Sequence, residues 1–204
     1  MKKTIQILLF LLLCLHNVVA QTNSKTEVNS TTSFGTLVPI GNYGSESANG
    51  FSTTFGIELK TKKNRVGKLN IEASRINFNS SFEAKGINYN IKDKTDIINF
   101  TAQIGYKKNV LLKNLSLYAL GGGGVAFINA PKANFNLEDK VLTSEDVSEK
   151  YFLAQLTFGV EYKISKTFIL YSEITYSKII STTFLSSNKV NFINFQIIGF
   201  KTTF

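Results

Sequence analysis

In the stretch Tyr151-Phe-Leu-Ala-Gln-Leu-Thr-Phe-Gly-Val-Glu-Tyr-Lys-Ile164, hydrophobicity alternates with a period of two residues. Phe152, Leu156 and Phe158 lie on one side of this alternation, and Gln155 and Glu161 lie on the other. Successive side chains of a β-strand point to opposite faces, whereas an amphipathic helix repeats every 3.6 residues. The stretch therefore predicts a long strand with one apolar face and one polar face.

The same period of two recurs along the chain and predicts eight strands. They lie near residues 31–40, 50–60, 67–80, 94–107, 114–129, 151–164, 167–180 and 190–204. The links between them alternate between short (61–66, 108–113, 165–166) and mostly longer (41–49, 81–93, 130–150, 181–189). Short turns at one end and longer loops at the other are typical of an up-and-down antiparallel barrel. The fold class is thus an all-β, eight-stranded antiparallel up-and-down β-barrel.

Two strands depart from simple alternation. In the third strand the apolar set shifts to Ile76 and Phe78, which a β-bulge near Ser74-Arg75 would explain. The fifth strand contains Gly121-Gly-Gly-Gly124. A phosphate-binding loop is one reading of these glycines, but no helix carrying Lys and Ser or Thr follows them. A bend or a close approach in the barrel wall is the interpretation that we favour.

The N-terminal residues are typical of a secretory signal peptide. Two lysines precede an apolar run of about ten residues, and small residues end at Ala20, so we expect segment 1–20 to be removed. A polar, flexible lead at 21–30 and a barrel domain at 31–204 follow. The chain has 23 Lys and Arg against 14 Asp and Glu, and without Lys2 and Lys3 the net charge is 21 − 14 = +7.

The mature chain lacks the residues that much site chemistry requires. Cys14 and His16 are the only residues of their types, and both lie in the predicted signal peptide. Disulfides, metal sites built on Cys or His, and nucleophilic mechanisms that need either residue are therefore excluded. We expect no catalytic, cofactor-binding or metal site.

The direction of the apolar faces separates two kinds of barrel. An inward apolar face would make an exported soluble barrel that binds a small apolar ligand, and an outward one would make a transmembrane barrel. Strands of about 10 to 14 residues match a tilted membrane crossing. Aromatic residues also collect near both strand ends, as in the interfacial girdles of such barrels. They are Tyr106, Tyr162, Phe168, Phe200 and Phe204 at the short turns, and Phe51, Phe78, Phe127, Phe152, Tyr176 and Phe192 at the long loops.

Two segments carry a resemblance to a known family. The hairpin Phe158-Gly-Val-Glu-Tyr-Lys-Ile-Ser-Lys-Thr-Phe-Ile-Leu-Tyr-Ser-Glu-Ile-Thr-Tyr176 looks like the penultimate hairpin of small Gram-negative outer-membrane barrels, such as the OmpA transmembrane domain, OmpX and the opacity-type proteins. The end, Gly199-Phe-Lys-Thr-Thr-Phe204, is similar to their C-terminal insertion signal, in which Gly199, Phe200 and Phe204 match. Thr202 and Ile197 depart from it, since an apolar and a polar residue are usual there.

This resemblance implies a porin-like, non-enzymatic protein of the cell outer membrane that acts in envelope integrity or in surface interaction and adhesion through its long loops. It implies outer-membrane lipid and lipopolysaccharide, the barrel-insertion machinery and a surface or envelope protein as partners, and no cofactor. Barrel enzymes that act on lipid A resemble one another in using a His with a Ser, and this mature chain has no His.

The polar faces carry charges of both signs that we expect to pair inside the lumen, because an unpaired buried charge costs several kcal/mol. An eight-stranded barrel leaves little more than side-chain room, so this network would plug it. A narrow ion or water channel is the alternative. The predicted lumen residues are Glu58, Lys60, Glu72, Arg75, Glu161, Lys163, Glu173 and Lys201.

The remaining charges lie near the ends of the barrel. Acids at Glu138-Asp139 and Glu145-Asp146 predict a solvated loop at 130–150, with a hard-cation site such as calcium as the alternative. The basic excess lies largely at the short turns, where we expect contact with lipid phosphates rather than with nucleic acid, because the protein is exported. It comprises Lys62, Lys63, Arg65, Lys68, Lys107, Lys108 and Lys113.

Overall fold

The computed structural model describes residues 26–41, 47–61, 64–84, 87–110, 114–136, 141–180 and 191–204. They form one closed antiparallel barrel in chain order, β1 to β8. The strands are β1 Glu27–Ile40, β2 Gly50–Lys60, β3 Arg65–Ala84, β4 Ile87–Asn109, β5 Leu115–Asn136, β6 Val141–Lys163, β7 Phe168–Ile180 and β8 Asn191–Thr203. Within these ranges, no helix has the length and apolarity to cross a membrane. The predicted signal peptide lies outside them.

The strands are staggered around the barrel. A row of directly paired residues leaves β1 at Asn29, passes through all eight strands and returns to β1 at Pro39, ten residues further along. This shear tilts the strands and leaves an interior that side chains can fill. The inward residues thus sit at successive levels along the lumen.

Three boundaries differ from the predictions. β1 begins at Glu27, so residues 27–30 pair in the wall and are not a flexible lead. The segments 81–93 and 130–150 contain strand instead of loop. β3 and β4 pair as far as Ala84↔Ile87, and β5 and β6 as far as Asn136↔Val141. Two long hairpins therefore rise from one end, which we call the hairpin end, opposite the short-turn end.

The apolar faces point outward. Ile104 is 76% exposed and Phe152 is 69% exposed, and both lie among large apolar side chains that cover the outer wall. This direction contradicts the soluble carrier with an apolar interior. Of the aromatic residues assigned to the girdles, Phe192 was assigned wrongly, because it points inward and is only 4% exposed.

The one register irregularity in the described strands lies in β8, not in β3. β3 pairs without interruption with both neighbours, so the predicted bulge at Ser74-Arg75 is wrong. In β8 the pairing with β1 passes from Phe34↔Ile198 to Gly35↔Gln196, which leaves Ile197 unpaired. The extra residue turns two successive side chains outward, and Ile197 and Ile198 are 63% and 54% exposed. An apolar residue therefore fits at Ile197, where the family pattern has a polar one.

Candidate functional site

Four buried charges from alternate strands meet inside the lumen near the short-turn end. Glu58 lies on β2, Lys107 on β4, Glu161 on β6 and Lys201 on β8, and none is more than 4% exposed. Lys107 Nζ lies 2.6 Å from Glu58 Oε1 and 2.8 Å from Glu161 Oε2, while Lys201 Nζ contacts the other oxygen of each carboxylate. Each cation thus bridges both acids, and this lumen quartet is electrically neutral.

The odd-numbered strands supply a second set just above the quartet. Lys68 Nζ on β3 donates to both carboxylate oxygens of Glu173 on β7, at 2.8 and 2.7 Å. Tyr118 Oη on β5 donates to Glu173 Oε2 at 2.6 Å. Lys68 and Glu173 are buried, so their ion pair is shielded from solvent. The charges of this set also cancel.

Two tyrosine rings join the two sets. Lys201 Nζ lies 4.8 Å from the centroid of the Tyr118 ring and 4.7 Å from that of the Tyr171 ring, within cation–π range. Both rings occupy space that glycines leave open. A Cβ added at Gly159 would overlap the Tyr118 ring, and one added at Gly199 would overlap the Tyr171 ring. Gly199 therefore has a packing role in the lumen as well as a place in the predicted insertion signal.

Neutral polar side chains fill the middle of the lumen. Gln103 Nε2 on β4 donates to Gln155 Oε1 on β6 at 3.0 Å, across the intervening Gly122 of β5. A Cβ added at Gly122 would overlap the Ala102 carbonyl oxygen, so this glycine lies at a close approach of the backbone in the wall. Gln196 and Asn194 bond to Ser52 in the same way from the opposite wall.

Glu72 lies in this middle layer without a cation. Its carboxylate accepts hydrogen bonds from Ser74 Oγ at 3.2 Å and Asn99 Nδ2 at 3.3 Å. No Lys or Arg nitrogen of the described residues lies within 4.0 Å of it. Glu72 therefore faces the lumen but takes no part in the ion pairs.

An apolar layer closes the lumen toward the hairpin end. The inward face changes from polar to apolar there, and these side chains pack together across the barrel. They are Leu37, Ile76, Ile97, Ala126, Ile128, Tyr151, Leu153, Ile179 and Phe192. Ile76 is fully buried, so it lies on the inward face of β3. The shift of the apolar residues that the sequence shows there is a change of the inward face from polar to apolar residues. Charges, amides and apolar groups thus occupy three successive levels.

The structure brings together only part of the predicted lumen set. Glu58, Glu161 and Lys201 share one cluster, and Glu173 lies in the adjoining one. Lys163 is exposed at the short-turn mouth, and Lys60 Nζ lies there 3.5 Å from Glu27 Oε2. Both line a polar vestibule of about 170 Å³ beside the quartet.

Arg75 was assigned to the lumen wrongly. It points outward on β3, where its guanidinium pairs with Asp96 of β4 and its side chain is 59% exposed. Without a bulge, the alternation that turns Ile76 inward must turn Arg75 outward.

Two lysines of the lumen were missed. Lys68 and Lys107 were predicted to meet lipid phosphates at the short turns, yet they are 1% and 3% exposed inside the barrel. Lys68 is an even number of residues from Glu72, and Lys107 is an even number from Gln103, so each lysine shares a strand face with a polar inward residue. This spacing is the sequence signal that places both lysines inside. Arg65 and Lys108 of that basic set are exposed, while Lys62, Lys63 and Lys113 lie outside the described residues, as do Glu138 and Asp139.

The C-terminal aromatic residues lie on the outer wall. Phe200 stacks on Phe168 of the neighbouring strand, with ring centroids 5.7 Å apart. Phe204 is 85% exposed, and its backbone N–H donates to the Val28 carbonyl at 3.0 Å, which ties the chain end to β1.

Chemically, the two charged clusters neutralise their own charges, while Glu72 is held by hydrogen bonds alone. The charged clusters bring carboxylates, lysines and tyrosines together, and these groups form ion pairs and hydrogen bonds with one another. In the part of the chain that the structure describes, no group of three or more His, Cys, Asp or Glu could hold a metal ion. In the described strands, inward side chains contact one another across the lumen at the charged, amide and apolar levels.

Known proteins share this sequence pattern and this shape. The family described as "Outer membrane protein beta-barrel domain" matches residues 7–204. Among curated proteins, none matches the sequence.

Solved barrels of three bacteria resemble the structure. Neisserial surface protein A is 14% identical, with a TM-score of 0.54 over 88% of this chain and 97% of its own. The N-terminal β-barrel domain of Pseudomonas aeruginosa OprF is 10% identical, with a TM-score of 0.46 over 87% and 97%. The attachment invasion locus protein Ail of Yersinia pestis is 14% identical, with a TM-score of 0.45 over 87% and 99%.

Proposed function

The chain belongs to the outer-membrane β-barrel domain family and lies in the outer membrane, and from that premise we propose that it is a non-enzymatic surface protein. It acts through the two hairpins that project from the hairpin end. In outer-membrane barrels the short turns face the periplasm and the longer connections face outside. The hairpin end then faces the surroundings of the cell.

The observation that supports this proposal is the length by which the two hairpins extend beyond the closed barrel. β3 and β4 continue to pair for nine residue pairs beyond Arg75↔Asp96, up to Ala84↔Ile87. β5 and β6 continue for seven pairs beyond Asn129↔Ser148. These extensions continue the backbone pairing of each hairpin beyond the last rows that the neighbouring strands share, so they stand above the closed wall and are available to a partner.

Each hairpin also presents open backbone. Pairing between β4 and β5 starts only at Asp96↔Asn129, and pairing between β6 and β7 starts at Phe152↔Ile180. The β4 edge from Ile87 to Lys94 and the β6 edge before Phe152 therefore have no neighbouring strand among the described residues. Unpaired edges of this kind are templates for another extended chain. The packed lumen supports the same proposal, because it leaves the surface as the place for function.

Shortening the hairpins tests the proposal. In one variant, residues 79–92 and 131–146 are each replaced by a two-residue Asn-Gly turn, and in a matched control only the short-turn segment 165–167 is replaced by Asn-Gly. Cells carrying each barrel are compared for attachment to surfaces and to one another, and for sensitivity to detergent. Heat-modifiable gel mobility shows which variants form the barrel.

We expect attachment to fall to the level of cells without the protein in the shortened variant, and to persist in the control. Equal attachment by a correctly folded shortened variant would contradict the proposal. Detergent sensitivity that follows loss of the whole barrel, but not loss of the hairpins, would instead indicate a role in envelope integrity.

A further inference from the structure

We propose that the vestibule at the short-turn end binds a small monocarboxylate that also carries an amide group, either a free acyl amino acid or the C-terminal residue of a peptide. The vestibule has a volume of about 170 Å³ and lies at the mouth of the lumen. Because the short turns of such barrels face the periplasm, the ligand comes from that compartment. The site is independent of the hairpins and of the function proposed for them.

Six strands build the vestibule, and each contributes the inward side chain nearest its short-turn end. These side chains are Glu27, Lys60, Asn109, Ser116, Lys163 and Ile169. Lys107 and Glu161 form the floor, and their charges are neutralised within the lumen quartet. The vestibule therefore ends at the quartet, and its rim is the part that a ligand can reach.

The rim carries one positive charge in excess. Its charged residues outside the quartet are Lys60, Lys163 and Glu27, which gives 2 − 1 = +1. Lys163 forms no ion pair with any residue that the structure describes. Lys60 Nζ lies 3.5 Å from Glu27 Oε2, beyond the usual length of a charge-assisted hydrogen bond, about 2.7 to 2.9 Å. One excess cation matches one carboxylate group.

Amide side chains beside Lys163 can bind the rest of such a ligand. Ser116 Oγ donates to Asn109 Oδ1 at 2.8 Å, so the Asn109 oxygen is engaged, while its Nδ2 has no acceptor among the described residues. The Lys163 backbone N–H donates to the Asn114 carbonyl at 2.9 Å, which keeps Asn114 next to the lysine. An amide side chain both donates and accepts hydrogen bonds, as the N–H and C=O of a peptide bond require.

The volume and one apolar side chain restrict the ligand further. A water molecule takes about 30 Å³ of the liquid, so a cavity of 170 Å³ has room for a ligand of several non-hydrogen atoms. Ile169 is the apolar member of the lining and is 9% exposed. An N-acylated alanine has the matching groups, because its carboxylate fits the lysines, its amide fits the asparagines and its methyl group fits Ile169.

A titration followed by NMR tests the site. The isotope-labelled barrel in neutral detergent micelles is titrated with N-acetyl-L-alanine, and the side-chain amide signals of Asn109 and Asn114 report binding. The matched ligand is N-acetyl-L-alanine amide, which is neutral. Lys163→Gln removes the excess charge and Lys163→Arg keeps it. The control variant is Lys108→Gln, because Lys108 is exposed at the same end but does not line the vestibule. Heat-modifiable gel mobility verifies each barrel.

We expect both asparagine signals to shift and saturate, with a Kd on the order of 1 to 10 mM for so small a ligand. Lys163→Gln should weaken binding about fivefold, the contribution of one partly exposed charge pair, and the neutral ligand should show a similar loss on the wild type. Lys163→Arg and Lys108→Gln should bind like the wild type. Acetyl-trialanine separates the two sources, since equal or tighter binding supports a peptide end and weaker binding supports a free acyl amino acid.

Three results would overturn the proposal. The first is a shift that does not saturate, and the second is equal binding of the neutral ligand or an equal loss in Lys108→Gln. The third is an equal shift with sodium chloride at the same concentration, which would show that the lysines attract any anion.

Discussion

Lys68 and Glu173 lie 105 residues apart in sequence and on opposite walls of the barrel, yet Lys68 Nζ donates to both carboxylate oxygens of Glu173. β3 and β7 are not neighbours in the sheet, so this ion pair spans the lumen. It connects walls that backbone hydrogen bonds do not connect.

Removing one partner of this pair should destabilise the barrel strongly. Lys68→Met leaves a buried carboxylate without its cation, and breaking a buried pair costs about 3 to 5 kcal/mol. Urea unfolding in lipid vesicles, followed by the loss of heat-modifiable mobility, measures the change. The double variant Lys68→Met, Glu173→Gln should recover most of the loss, because it leaves no unpaired charge. A double variant as unstable as Lys68→Met would refute this account.

Gly159→Ala should destabilise the barrel by about 1 to 3 kcal/mol, the usual cost of overpacking. The added methyl group overlaps the Tyr118 ring and would displace the hydroxyl that bonds Glu173. Gly121→Ala is the matched control, since nothing lies within 4 Å of a Cβ at that outward position. The same urea titration compares them, and equal free energies of unfolding for the two variants would contradict the predicted contact.

Ile197→Lys should cost about 2 to 4 kcal/mol, the penalty for a lysine facing lipid near the middle of the membrane. The bulge turns Ile197 outward, in the central part of β8. Thr202→Lys, at the short-turn end of the same strand, should cost about 1 kcal/mol or less, because the penalty falls toward the interface. If Ile197→Lys unfolds at the same urea concentration as Thr202→Lys, Ile197 does not face lipid as the bulge requires.

The barrel should show no steps of ionic current in planar bilayers at 100 mV. The charged clusters close the lumen near the short-turn end, and the apolar layer closes it near the other. Because these closures are separate, Lys201→Ala alone should also remain silent. Stepwise conductance of the wild type would restore the channel alternative.

The period of two was enough to predict the fold. Each expected strand has a counterpart, because the alternation shows at every position which side chain faces lipid. The alternating lengths of the links predicted that strands adjacent in sequence also pair in the sheet. The lengths of the hairpins were not predictable in this way. Above the lipid neither face must be apolar, so the pattern disappears while the backbone pairing of β3 with β4 continues to Ala84↔Ile87.

The lumen was predicted only in part, for two reasons. The prediction assumed that the inward face is polar along the whole strand. At the hairpin end the inward face is apolar instead, because Ile76 and Ile97 point into the lumen there. Partners across the lumen also depend on the shear, which alternation does not reveal. Lys107 meets Glu58 because the staggered rows bring β2 and β4 to one level, and nothing in their local sequence indicates it.

The lumen quartet has a consequence for how the barrel forms. Lys201 lies on β8, the strand that must meet β1 to close the wall, and it is one of the two cations that neutralise Glu58 and Glu161. An open sheet that lacks β8 retains two acids and Lys107, an excess of one negative charge. Closing the seam removes that excess. The strand that closes the wall therefore also brings the cation that makes the cluster neutral, so closure of the seam and completion of the ion pairs are one event.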